Sequence, residues 1–171
     1  MLVFGDVCKL MTKSLHRALD HRERWKSRVD LDPCACKELE FWKNNVFHLN
    51  PRSFTDAAHR PSRIFYSDAS VVGCAAYIAI DDMPVSHKNW DSLQMKQGFT
   101  WRELHCVCFA LKSFAHVLSG CSIKWFTDNQ AVPLIVENGS MNQHLHKLAV
   151  NIIYTAKATI SKSRLSGYLV H

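Results

Sequence analysis

Along the first third of the chain the apolar residues keep a helical spacing. Val7, Leu10, Met11, Leu15, Ala18 and Leu19 recur three and four apart, with Lys, Arg and His between them, and predict a helix over 7–25. The stretch "DLDPCACKELEFWKNNV" predicts a second helix, with Asp32 as N-cap, Pro33 at the first helical position and a stripe through Leu39, Trp42 and Val46. Residues 48–62, "HLNPRSFTDAAHRPS", are polar, carry two prolines and read as a linker.

At Arg63 the period changes to two. Ile64, Tyr66 and Asp68 fall on one face of a strand, with Phe65 and Ser67 on the other. "GCAAYIAI" predicts the next strand, "DDMP" a turn and "VSHKNW" a third, weaker strand. "TWRELHCVCFALKSFAHVL" predicts a long helix, with Thr100 and Glu103 at capping-box spacing and a core stripe through Leu104, Val107, Leu111, Phe114 and Leu118. "IKWFT" predicts a strand, and 132–137 a short helix that tolerates Pro133 in its first turn. "NQHLHKLAVNIIYTAKA" predicts another helix through Leu145, Leu148, Ile152 and Ala156, and "TISKSRLSGYLVH" a last strand. Hairpin strands followed by α/β units imply one mixed sheet with helices packed on it.

Composition narrows the class. Hydrophobic residues make up 47% of 171, enough for a real core, yet no apolar run reaches the ~18 residues of a membrane helix. "MLVFGDVCKL" is broken at Asp6, too early for a signal peptide, so the expectation is a cytoplasmic or nuclear protein, not a secreted one. Seven cysteines then read as reduced thiols, and the pairs Cys34/Cys36 and Cys106/Cys108 as small buried residues rather than zinc ligands. The net charge of +6 suits a polyanionic partner such as nucleic acid. Residues 64–171 hold only 7 acids against 9 Lys and Arg, which makes an acid in an apolar setting informative.

Three acids stand out. Asp68 lies in the first strand, Glu103 in the first turn of the long helix, and Asp128 ends the fourth strand. Each has a plain reading: a polar strand end, a capping-box glutamate, an N-cap. Together, in this element order, they match the oxygen-rich donor set that Mg²⁺ takes, and two such ions can clamp the attacking and leaving oxygens of a phosphodiester. Other polar groups read as solvent-facing: His144 and His146, which as i and i+2 do not share a helix face, and Lys157, Lys162 and Arg164. Trp25, Trp42, Trp90 and Trp125 read as packing residues, whereas Trp101 borders Glu103 and is placed at a cleft rim. No Gly-rich phosphate loop and no Ser/His/Asp or Cys/His arrangement is present.

"FYSDAS", "TWRELHCVCFALKSF" and "IKWFTDNQAV…ENGS", in that order, resemble the ribonuclease H domain of retrotransposon reverse transcriptases. The upstream "KLMTKSLHRALDHRERW…ELEFWKNNVFHLNPRSF" resembles the connector between polymerase and ribonuclease H in the same polyproteins. The resemblance implies a helical connector over 1–62 and, over 63–171, an α/β ribonuclease H-like domain. Its sheet would be mixed and five-stranded, three antiparallel strands then two parallel, flanked by helices. The implied activity is Mg²⁺- or Mn²⁺-dependent hydrolysis of the RNA strand of an RNA/DNA hybrid. In that scheme Asp68 bridges two ions, Glu103 holds the one on the leaving side and Asp128 the other. Asn129 and Gln130 would reach the hybrid's minor groove, where 2′-hydroxyls mark RNA.

The sequence departs from the family at its end. A fourth acid normally stands near the family's C-terminus, after a strand and a "PR-x-x-N-x-x-AD" type segment, yet no Asp or Glu follows Glu137, and the terminal His171 is a poor match for the family's mobile histidine. The expectation is a domain incomplete at its C-terminus, either a polyprotein piece without its upstream reverse transcriptase or a degenerate gene copy, with weak or absent cleavage. The alternatives are a non-catalytic nucleic-acid-binding module or a fragment without function.

Overall fold

The computed structural model describes residues 6–20, 22, 24–49, 63–119, 121, 123–159 and 168–169. Two short helices, α1 (Asp6–Leu10) and α2 (Lys13–Asp20), come first, followed by α3 (Pro33–Leu49). The one helix expected over 7–25 is thus two. At the break Thr12 turns its hydroxyl back onto the Cys8 carbonyl at 2.8 Å, satisfying a helix-end acceptor. The freed N–H groups of α2 go to the Glu38 carboxylate: Ser14 N donates to Oε1 at 2.9 Å and Leu15 N to Oε2 at 3.0 Å. The start of α3 is as expected, with Ala35 N donating to Asp32 Oδ1 at 2.7 Å. Its buried face is shifted: Leu39 is 46% exposed and the residues turned inward are Ala35, Glu38 and Phe41, while Trp42 of the expected stripe is half-buried and donates from Nε1 to the Met11 carbonyl at 2.7 Å. Of the expected linker, residues 50–62 lie outside the described residues.

Then come β1 (Arg63–Ala69), β2 (Gly73–Ile78), β3 (Val85–Asn89), α4 (Ser92–Met95), α5 (Phe99–Ser113), α6 (Ala115–Leu118), β4 (Ile123–Phe126), α7 (Ala131–Asn138), α8 (Gln143–Thr159) and β5 (Tyr168–Leu169). The sheet order is β3-β2-β1-β4-β5. β1 pairs antiparallel with β2, and β2 with β3; β4 runs parallel to β1, and β5 parallel to β4. This is the expected mixed sheet, three antiparallel strands then two parallel, with one correction. Four strands are of real length, whereas the fifth is a two-residue pairing at the edge, Tyr168–Leu169 against Lys124–Trp125. Gly73 is obligatory where β2 meets β3, since a Cβ there would lie 2.6 Å from the Lys88 carbonyl oxygen.

Alternation along β1 sorts its faces. Phe65, Ser67 and Ala69 are buried, and Asp68 is exposed. The buried face packs on α5, whose stripe Leu104, Val107 and Leu111, with Phe114 at the α5–α6 junction and Leu118 of α6, forms the main core with Ile78, Trp125, Val132 and Ile152. Trp125 stacks on Phe65 at 5.1 Å and donates from Nε1 to Ser67 Oγ at 2.8 Å, so its one polar atom is satisfied within the core. On the opposite face Tyr77, Tyr66 and Phe126 form a stacked row.

The helical segment is packed onto this unit. Leu10, Met11 and Phe41 form a second core with Ala149, flanked by Ile135 of α7 and Val150 and Ile153 of α8. Between α8 and α3, His146 Nε2 lies 3.1 Å from Glu38 Oε1. His146 is 1% exposed, which overturns the solvated reading of this residue; His144, two positions earlier, is exposed. Gly139 ends α7 with φ +72°, and a Cβ there would lie 2.9 Å from His146 Nδ1, so glycine serves both the turn and the fit of the imidazole. Lys162, Arg164, His171 and the side chain of Lys157 lie outside the described residues.

Candidate metal centre

Parallel pairing of β1 with β4 sets Tyr66 opposite Phe126. Two residues on from that pair in each segment, Asp68 near the end of β1 and Asp128 just past the end of β4 bring their carboxylates together. Glu103 enters from α5, which lies across β1 and β2. One carboxylate oxygen from each of the three lies within 4.8 Å of the others. Asp68 and Asp128 are exposed, whereas Glu103 is 0% exposed.

The plain readings of two of these acids do not hold. Helix α5 begins at Phe99 with Gly98 as N-cap and no side-chain cap bond, so Thr100 lies inside the helix and the expected capping box is not formed. Glu103 instead accepts a 3.1 Å bond from Ala69 N at Oε1, and Thr127 Oγ1 lies 3.5 Å from its Oε2. A capping box does exist just upstream, at Asp91 and Gln94 of α4, a helix that the pattern of apolar residues did not predict. Nor does Asp128 cap α7: the first free amide there, Ala131 N, donates to Asn129 Oδ1 at 2.9 Å. Asp128 is left facing solvent beside Asp68.

Burial drives the Glu103 carboxyl up to about 7; the Ala69 amide opposes this, while Asp128 and Asp68 add to it. Three carboxylates with one fully buried are costly in each other's company, and a divalent cation removes that cost. The donors are hard oxygens, the type Mg²⁺ and Mn²⁺ take. On donor type, spacing and charge, the three residues fit a divalent cation.

Of the residues expected to touch nucleic acid, Gln130 is exposed, but Asn129 is 8% exposed with its side-chain oxygen committed to α7. Trp101 stacks on His105 at 4.8 Å and meets Trp90 edge-on at 6.5 Å, two residues from Glu103. Burial, then Lys88 and Lys112, hold the His105 imidazole below its ordinary range. Beneath the acids, Cys106 Sγ points at the carbonyls of Asp68 (3.4 Å) and Ala75 (3.5 Å), and all seven cysteines are free thiols. The Glu103 partners Ala69 and Thr127 were missed by sequence reasoning, and only the adjacency of Thr127 to Asp128 hinted at either.

No protein-family model and no curated protein matches the chain. Among solved structures the chain is similar to the foamy viral protease-reverse transcriptase in complex with RNA/DNA hybrid, at 14% identity and a TM-score of 0.43, over 96% of this chain and 25% of that one. It is similar also to the foamy viral protease-reverse transcriptase dRH in complex with ds DNA, at 11% identity and a TM-score of 0.41, over 98% of this chain and 29% of that one. The chain therefore spans less than a third of the length of either.

Proposed function

We propose that this chain is a retroelement-derived ribonuclease H-like domain that binds divalent cations at Asp68, Glu103 and Asp128 and acts on the RNA strand of RNA/DNA hybrids. The observation that carries this reading is the convergence of three carboxylates from three elements within 4.8 Å, one of them fully buried. The motif order SDAS, TWREL, TDNQ supports the substrate class. Bound there, Mg²⁺ or Mn²⁺ would supply Lewis acidity toward a phosphodiester. Asp68, Glu103 and Asp128 would hold the cation through their carboxylates. Ala69 N and Thr127 Oγ1 would hold the Glu103 carboxylate in place, and exposed Gln130 would meet the hybrid backbone.

Only three acids gather among the described residues. That observation favours low turnover, and it keeps a second reading in view: a module that binds nucleic acid without cutting it. Removing one charge-stabilising contact from such a centre typically costs about two to three orders of magnitude in rate. The test is cleavage of a labelled RNA/DNA hybrid by the purified chain in Mg²⁺ and in Mn²⁺, beside Asp128→Asn. Slow cleavage that disappears in the variant supports the catalytic reading. Salt-sensitive binding with no cleavage by either protein moves the assignment to the binding module.

A further inference from the structure

The connection between α2 and α3 carries chemistry that the acid cluster does not use. Residues 22–28 read "RERWKSR", four cations against the single acid Glu23. Trp25, expected to pack, is 80% exposed. An indole left in water is unusual, because Trp is among the residues with most to gain from burial. The Arg22 guanidinium sits 4.1 Å from the centroid of the ring and covers one face; at that exposure the rest of the ring meets solvent. The turn that presents it is closed by Ser27 N to Arg24 O at 3.0 Å and by Arg24 N to Ser27 Oγ at 3.2 Å. Its far end is tied to the sheet unit, since Gln143 Nε2 donates to Asp32 Oδ2 at 3.0 Å. Among the described residues none of Arg22, Arg24, Lys26 or Arg28 is in an ion pair.

We propose that this turn is a second nucleic-acid site, taking single strands, in which Trp25 stacks on an unpaired base and the four cations meet phosphates. An aromatic face flanked by cations is the arrangement that holds single strands without sequence preference. A duplex offers no free base face to the indole. A membrane surface would ask for an apolar stripe beside the Trp, and its neighbours here are Arg24, Lys26 and Ser27.

The test measures binding of labelled oligo-dT and oligo-U, a duplex of matched length and phosphatidylserine vesicles, all in EDTA. Without metal the readout is independent of the acid cluster, so a chain that does not cleave leaves this proposal standing. Trp25→Ala is expected to weaken single-strand binding roughly five- to a hundredfold, the range that loss of base stacking gives. Duplex binding should hardly change, and Trp25→Phe should retain most of the affinity. The double variant Arg24→Gln/Arg28→Gln is expected to reduce the slope of log affinity against log salt by about 1.4. Because Trp25 is exposed, its melting temperature should match the parent. Equal single-strand affinity of Trp25→Ala and parent would overturn the proposal. So would equal losses on single strand and duplex, or a loss confined to vesicles.

Discussion

Glu103 is the residue at which burial and charge meet, and its titration has a definite sign. The ordinary carboxyl value is 4.5 and the folded value about 7. Between the two, the folded chain holds a proton that the unfolded chain has released. In a chelator, stability should therefore fall as pH rises from about 4.5 to about 7 and level off above. At about 1.4 kcal/mol per unit the whole effect is on the order of 3 kcal/mol, less whatever relaxation of Asp68 and Asp128 returns. Thermal melts in EDTA across this window should slope for the parent and run flatter for Glu103→Gln, which keeps an acceptor for Ala69 N. Saturating Mg²⁺ should flatten the parent curve too. Parallel slopes for parent and variant would mean that Glu103 is not the group responsible. The acids themselves were legible in the sequence, because acids are scarce there and each sat at the end of a recognisable element. What holds Glu103 was not, since Ala69 is 34 and Thr127 24 residues away in sequence. The S/T-x-x-E spacing misled for a physical reason: the helix starts at Phe99, two residues earlier than that motif requires.

Among the elements, α2 shows how a helix can be capped from outside its own sequence. Burial raises the Glu38 carboxyl, but the bonds from His146, Ser14 N and Leu15 N together outweigh it and hold the group below its ordinary value. That contribution is fully present above about pH 4.5 and is lost as pH falls through the lowered folded value. Glu38→Gln should cost about 2 kcal/mol near neutral pH, because an amide answers these donors less well and brings its own N–H groups into a buried site. The deficit should shrink below pH 4.5, where the parent loses the charge as well. Denaturant titrations of parent and variant at neutral and acid pH check this, and a deficit that does not change with pH would refute it. The α3 stripe was misread for the same reason. Periodicity weighs Leu39 above Glu38 because it scores apolarity, and it cannot see that a carboxylate will be buried by bonding to another helix. The apolar stripes of α5 and α8 were legible almost residue by residue, whereas the buried Glu103 and His146 on the same helices were not read as buried.

On the scale of the whole molecule the question is whether residues 1–62 and 63–171 stand apart. The change of period at Arg63 suggests a boundary, and the packing across it gives a magnitude. Leu10, Met11 and Phe41 bury themselves against Ala149 and its neighbours on α7 and α8. At ~2 kcal/mol for each fully buried side chain, that contact is on the order of 5 kcal/mol before ordering costs, comparable with the whole stability of many domains. Glu38 and His146 add a buried polar link across the two parts. Breaking the chain should therefore not separate its parts. A protease site engineered into residues 50–62 and cut to completion is expected to leave 1–49 and 63–171 together on size exclusion, melting in one transition. Residues 63–171 expressed alone should melt well below the nicked complex or without cooperativity, since Ala149, Ile135, Ile153 and His146 are then uncovered. Two fragments that part on cutting, with 63–171 keeping the melting temperature of the full chain, would make the helical segment a separate unit.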